Sequence, residues 1–342
     1  MHRSAYSACH VLDAFSDDLY GKIIPACAVP VYRKIAGCFP PVSGIGIEYH
    51  MNSTDRADLC IRITGADSSR EGILALADGD PPSLFDRPEW QPVLLLLRKW
   101  ADPLSSFYAV LHTMWLEFDM DVKDYTGRLP SVFFDLDRED KLGTAVQLSV
   151  LDQVLACLQH PLKPETAELL TQLFGPGTPA RLYYAGLLLS RTASPLRICA
   201  KNLQPDDMRL FIEKFVYGHS VPWHKKELLK LIAGAGQLIL NLDVDDRIRE
   251  SAGIEVYFDS MSEWKNFFSG MTGLGMCHQE KAAEVLRFPG VKECADKAFR
   301  RFAAPVAGKE VRWVEKRLNH VKLSFLPRGG FSMKSYLYAC YH

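Results

Sequence analysis

Short runs of alternating polar and apolar residues recur along this chain in pairs. In the run around Glu117, the acids Glu117, Asp119 and Asp121 fall on one face of an extended strand, and Leu116, Phe118 and Met120 fall on the other. The same split separates Asp135 and Asp137 from Phe134 and Leu136. It also separates Asn241, Asp243 and Asp245 from Leu240, Leu242 and Val244, and Glu255, Tyr257 and Asp259 from Ile254, Val256 and Phe258. The runs predict strands at 46–50 with 59–64, 115–119 with 132–137, 182–190 with 196–201, 238–244 with 254–259, and 321–326 with 334–341. Each pair reads as a hairpin, so five hairpins are expected at about 44–64, 115–137, 182–201, 238–259 and 321–341.

Between the hairpins the period changes to that of helices. Trp90, Val93, Leu94, Leu97, Trp100, Leu104 and Tyr108 form a stripe that Pro92 and Pro103 divide into two helices. Helices are likewise predicted at 147–158, 164–174, 205–215, 225–233, 263–271, 279–286 and 292–303. Pro205 followed by Asp206 and Asp207 suits a helix start, because proline costs no hydrogen bond there and acids meet the positive end of the helix dipole. The predicted fold class is α/β: a ten-stranded antiparallel barrel of repeated helix, strand, strand, helix units with an outer ring of helices, one domain over 1–342. Closure removes the exposed strand edges, and helices outside require the apolar faces to point outward, leaving a polar, charged lumen. The competing arrangement is an open sheet with helices on one side, in which the polar face is merely solvated.

Composition changes this picture little. Nearly half the residues are hydrophobic and the net charge is −1, which fits a globular chain with its own core and provides no overall basic field for nucleic acid or an anionic membrane. Nine cysteines are scattered singly, an odd number without metal-ligand spacing, which points to reduced thiols. No leader-like or membrane-spanning apolar run is evident, so a cytoplasmic location is expected. Oligomeric state leaves no trace in the sequence.

The hairpins carry local patterns of a known kind. Gly46-Ile47-Glu48-Tyr49-His50 with Arg62 on the return strand, Phe118-Asp119-Met120-Asp121 leading to Phe133-Phe134-Asp135, Leu196-Arg197-Ile198-Cys199-Ala200-Lys201 before the Pro205 helix, and the closing Val321–Phe325 and Lys334–Tyr338 runs together resemble the ABBA-type aromatic prenyltransferases, including the dimethylallyl tryptophan synthases. The resemblance covers most of the chain. It implies a barrel lumen in which a prenyl group passes from an allylic diphosphate to an aromatic or peptide acceptor, with Glu48 orienting the acceptor and Arg62 binding diphosphate.

That chemistry needs cations for the leaving diphosphate and aromatic faces for the allylic cation. Candidate cations are Arg62, Arg191, Arg197, Lys201, Lys322 and Lys334. Candidate shields are Tyr49, Tyr184, Tyr257, Tyr336 and Tyr338, and Glu48 is a candidate to accept a hydrogen bond from the acceptor and later a proton. Two positions depart from the family pattern: Val132-Phe133-Phe134-Asp135 lacks the expected lysine, and Glu255 stands where a cation would be useful. Acids beside a diphosphate call for a divalent metal, so Asp119, Asp121, Asp243 and Asp245 are candidate ligands for Mg2+; no organic cofactor is indicated. The acids also support a different reading, a non-prenylating tailoring or recognition protein that binds a cationic peptide in an acidic lumen. His219 and His224 flank Trp223 in a loop without a third metal ligand, and His320, just ahead of the fifth hairpin, is a candidate base at a barrel rim.

Overall fold

The alternation closes into a ring. The computed structural model describes residues 7–13, 16–40, 42, 44–52, 56–65, 70, 72–73, 85, 87–120, 129–136, 141–191, 194–212, 226–293, 313–326 and 330–341. The strands are β1 (Gly44–His50), β2 (Ala57–Thr64), β3 (Thr113–Phe118), β4 (Ser131–Asp135), β5 (Arg181–Leu187), β6 (Leu196–Lys201), β7 (Gln237–Val244), β8 (Ile248–Tyr257), β9 (Gly290–Glu293), β10 (Trp313–Leu326) and β11 (Gly330–Tyr341). Each of the first seven pairs antiparallel with its successor, β8 pairs with β10, β10 with β11, and β11 with β1, from Gly44 against Cys340 to His50 against Lys334. These ten strands form a closed antiparallel barrel, and β9 pairs outside the ring with the start of β10. No open-sheet alternative survives this closure.

The outward positions are the apolar ones. Leu59, Ile61, Met114, Leu116, Val132, Phe134, Leu240, Leu242, Ile254, Val256, Val321 and Leu323 are wholly buried between the strands and the helix layer. Each such side chain contributes roughly 1.5–3 kcal/mol on burial, so the pattern in the sequence is what orients every strand. The helices come mostly in pairs between hairpins: Gln91–Ala101 with Ser106–Val110, Thr144–Cys157 with Pro164–Phe174, Pro205–Ile212 with Lys226–Ile232, and Met261–Gly273 with Gln279–Arg287. Val29–Gly37 precedes β1. Trp90, Val93, Leu94, Leu97 and Trp100 are buried as the stripe in the sequence predicts, whereas Leu104 and Tyr108, beyond the break at Pro103, are exposed; the Trp100 indole donates to the Leu111 carbonyl at 2.7 Å. A capping box at Ser260 and Glu263 starts the Met261–Gly273 helix. Among the described residues, no helix is long and apolar enough to cross a membrane.

Several expectations change. Residues 290–293 form a strand rather than the start of a helix, because they pair with Trp313–Lys316, a partner too distant in sequence for local propensity to reveal; 294–303 lie outside the described residues. β8 starts at Ile248 and β10 at Trp313, well ahead of the predicted 254 and 321, so His320 lies within a strand. β5 ends at Leu187, before the expected 190. Register shifts interrupt the ladders between Leu182 and Tyr184, between Leu242 and Val244, and between Leu318 and His320. The 205 helix is described as far as Ile212, and His219, Trp223 and His224 lie outside the described residues.

Candidate active site in the barrel lumen

The inward positions enclose a cavity of about 340 Å³. Its wall is strongly aromatic, formed by Trp115, Phe133, Tyr183, Tyr184, Tyr257, Tyr336 and Tyr338. Two bulges enrich it. At the first, Leu182 opposes Ala200 and Tyr184 opposes Cys199, so the intervening Tyr183 is the extra residue and both tyrosines reach the cavity, their rings in edge contact at 4.5 Å. At the second, Asn319 and His320 both reach it. Glycine makes room for the rings: a Cβ at Gly186 would strike the Phe133 ring, and one at Gly44 would strike Tyr338.

The charges divide between two ends. At the end marked by the C-terminus of β1, the buried Glu48 accepts from the Lys334 amine and the Tyr336 hydroxyl, with His50 Nε2 3.6 Å away. Burial would raise the Glu48 carboxyl, but Lys334 and His50 outweigh it and hold the group far below the usual carboxylate range. Asp58, beside it, takes hydrogen bonds from His50 at 2.9 Å, Arg56 at 3.2 Å and the Met120 amide at 2.7 Å. On the neighbouring wall Arg197 grips Asp243 through two bonds of 2.7 and 3.0 Å. Glu117 lines the cavity nearby, where burial and the charge of Glu48 push it up to about 8.

At the opposite end the cations lie on rings. The Arg62 guanidinium donates to the Tyr338 hydroxyl at 2.7 Å and sits 5.7 and 5.4 Å from the centroids of Trp115 and Tyr338. The Lys201 amine is 4.4 Å from the Tyr183 centroid. Arg317, half exposed at this rim, is paired with Glu315. Between the ends, the Lys322 amine donates to Asn241 Oδ1 at 2.6 Å, and burial together with Arg197 pushes it down to about 8. Lys322 is the cross-strand partner of Glu255. Burial would raise Glu255, yet His320 and Lys322 beside it and the 2.9 Å bond from the Tyr257 hydroxyl hold it below the ordinary value.

Of the residues singled out in the sequence, Arg62, Lys322, Tyr184, Tyr257, Tyr336 and Tyr338 line the cavity. Glu48, Arg197 and Lys334 face inward but are bound up in pairs behind that lining. Tyr49 points the other way: strand parity turns it from Glu48 into the helix layer, where its hydroxyl donates to Glu284 at 3.1 Å and the Lys281 amine lies over its ring. Arg191 lies in the turn after β5, 3.9 Å from Asp119. Asp119 also accepts from Ser190 and faces Arg56 at 3.5 Å, while Asp245 pairs with Arg249 at 3.0 Å. Asp121 lies outside the described residues. Each described acid of the proposed metal set thus already has a guanidinium beside it, and among the described residues these acids do not fall in one close ligand cluster. Glu48, His50 and Asp58 do cluster with ligand atoms within 4.8 Å, but Lys334 and Arg56 supply the positive charge there.

Trp115 and Phe133 share the inward parity of Glu117 and Asp135 and were legible from alternation alone. Tyr183 and Asn319 were not, because bulges placed them.

The chain has no match among protein-family models and none among curated proteins. Solved structures do resemble it in fold. 5-Dimethylallyltryptophan synthase from Streptomyces coelicolor superposes with a TM-score of 0.56 at 11% identity over 98% of both chains. The apo form of the prenyltransferase PriB gives 0.57 at 10% identity over 97% of this chain and 96% of its own. AnaPT from Neosartorya fischeri gives 0.50 at 13% over 98% and 92%. The fold is therefore the ABBA aromatic prenyltransferase barrel. That likeness concerns architecture; the chemistry rests on the lumen.

Proposed function

We propose that the chain transfers a prenyl group from an allylic diphosphate to an aromatic acceptor inside the barrel. The observation that carries this reading is the single cavity wall on which Arg62, laid on Trp115 and Tyr338, adjoins further tyrosine faces. An arginine fork can bind the diphosphate oxygens and stabilise the charge that develops as the allylic C–O bond breaks. The aromatic faces then attract the delocalised allylic cation electrostatically, without offering it a strong nucleophile. Lys201 on Tyr183 is the second candidate for the diphosphate. Glu48, sealed by Lys334 and Tyr336, serves in this reading as a fixed counter-charge instead of a proton acceptor, and the proton lost from the acceptor carbon that gains the prenyl group passes to the released diphosphate.

Binding of a cationic peptide is poorly supported by the same geometry. Glu48 and Asp243 are neutralised by Lys334 and Arg197, Glu117 is held protonated at neutral pH, and the ionised Glu255 of the lining stands opposite Lys322, so the cavity carries little net acidity.

Calorimetric titration with geranyl S-thiolodiphosphate, against inorganic diphosphate, tests the proposal. Saturable binding that depends on the prenyl tail and weakens at least about tenfold in Arg62→Ala is expected, the loss of one charge-assisted contact. Binding no tighter than that of inorganic diphosphate, or indifferent to Arg62, would remove the reading. Product formation with dimethylallyl diphosphate and a panel of aromatic acceptors follows.

A further inference from the structure

Among the described residues of that cavity, the buried His320 Nε2 and Asn241 Nδ2 have no hydrogen-bond partner, and the first faces an acceptor across a gap. His320 is only 8% exposed, and its ring is sandwiched between Tyr336, with centroids 4.1 Å apart at 18°, and Tyr257, at 4.8 Å and 33°. Its Nδ1 meets the Asn319 amide nitrogen at 3.0 Å, an arrangement that makes Nδ1 the acceptor and leaves the ring proton on Nε2. Nε2 has no hydrogen-bond partner among the described residues, and it lies 3.9 Å from Glu255 Oε2, too far to bond it. A buried N–H donor and a carboxylate acceptor thus face a common gap, and both residues line the cavity. A buried polar group left unsatisfied is costly, which makes the gap a place for a ligand atom.

The gap selects a particular kind of atom. An oxygen about 2.8 Å from both Nε2 and Oε2 closes the 3.9 Å separation with about 90° between its two bonds, a geometry open to a hydroxyl that donates to one side and accepts from the other. An indole N–H satisfies the carboxylate but has nothing to offer Nε2–H, and an ether oxygen satisfies Nε2–H but repels the carboxylate. We infer that Glu255 and His320 form a subsite for the hydroxyl of a phenolic acceptor. The assignment rests on the prenyl-transfer reading and narrows its acceptor to hydroxyarenes. Burial pushes the imidazole down to about 4, so it is neutral near pH 7 and acts as a donor from its single N–H. The stack on Tyr257 and Tyr336 fixes the direction of that N–H, and the Tyr257 hydroxyl, bonded to Glu255 Oε2, fixes the carboxylate.

The probes are 2-naphthol, 2-methoxynaphthalene and indole, titrated by calorimetry into the wild-type protein and into His320→Phe, which keeps the stacked ring and removes the donor. In the wild type 2-naphthol should bind at least about tenfold tighter than its methyl ether or indole, the scale of a lost charge-assisted hydrogen bond. His320→Phe should weaken 2-naphthol about fivefold or more and leave the ether within about twofold. Equal affinities for naphthol and ether, an equal loss of both in the variant, or no naphthol binding overturns the subsite. The wild-type ratio alone decides the matter if the variant does not fold. Geranyl S-thiolodiphosphate separates the two readings. Naphthol discrimination without donor binding removes prenyl transfer and keeps the hydroxyl subsite; donor binding without discrimination removes the subsite alone.

Discussion

The two ends of the lumen hold their cations by different means. At the Glu48 end, Lys334 and Arg197 are locked to buried carboxylates, whereas at the Tyr183 end Arg62 and Lys201 rest on aromatic faces. A cation taken from a buried carboxylate leaves an uncompensated charge at a cost of several kcal/mol, while one lifted from a ring gives up about 0.5–2 kcal/mol. On the prenyl-transfer reading proposed above, an incoming diphosphate would recruit the second kind and not the first. The count of basic residues on lumen-facing strands says little until their partners are known. Arg197, which by sequence is as good a diphosphate ligand as Arg62, is on this argument a structural element.

The sharpest way to break the contrast is Arg197→Ala. It strands Asp243 beneath the surface and should cost about 3 kcal/mol in urea denaturation; adding Asp243→Ala should restore much of it. A loss below about 1 kcal/mol would mean the pair is effectively solvated and Arg197 is available to a ligand after all. Next in size is a pH effect at Glu117. A carboxyl raised from 4.5 to about 8 in the folded state favours folding fully only below the lower value, and this contribution is lost as pH rises through the upper one. Glu117→Gln should therefore gain at least about 1 kcal/mol relative to wild type on going from pH 5 to pH 8, seen as a flatter stability profile. A parallel shift of both proteins would show that Glu117 is ionised in the lumen. The smallest effect is expected at the aromatic end, where Tyr338→Phe removes the hydroxyl bonded to Arg62 and should cost about 1 kcal/mol or less. A loss as large as that of Arg197→Ala would erase the difference between the ends.

The sequence disclosed the barrel because each strand has one apolar face, and parity then carried Tyr336, Tyr338, Glu255 and Lys322 to the lumen without further information. It failed where geometry is not periodic. Tyr183 enters the cavity only because a bulge offsets β5, and His320 looked like a rim residue until β10 proved to begin at Trp313. Tyr49 was assigned by its chemistry against its parity, and parity prevailed. Pairing was the second blind spot: the alternation that shows Arg197 and Asp243 both pointing inward does not reveal that they stand opposite each other across β6 and β7, since register depends on the whole ladder. The resemblance to the prenyltransferases held for the architecture, with the lumen carrying Phe133 from the strand that lacks the expected lysine and Glu255 where a cation would be useful.

The ring is closed by β11, which is zipped to β1 along one edge and to β10 along the other. Partners some 290 residues apart, such as Gly44 and Cys340, must meet before any lumen exists, and so large a sequence separation slows folding. On the ribosome, β1 and β10 would thus emerge with unpaired edges and wait for the last hairpin. During synthesis the nascent barrel is a sheet with two sticky margins, the form in which chains cross-pair and aggregate. Production of this protein in a foreign host should accordingly be limited less by the stability of the finished barrel than by how well chaperones cover those margins until the final strand arrives.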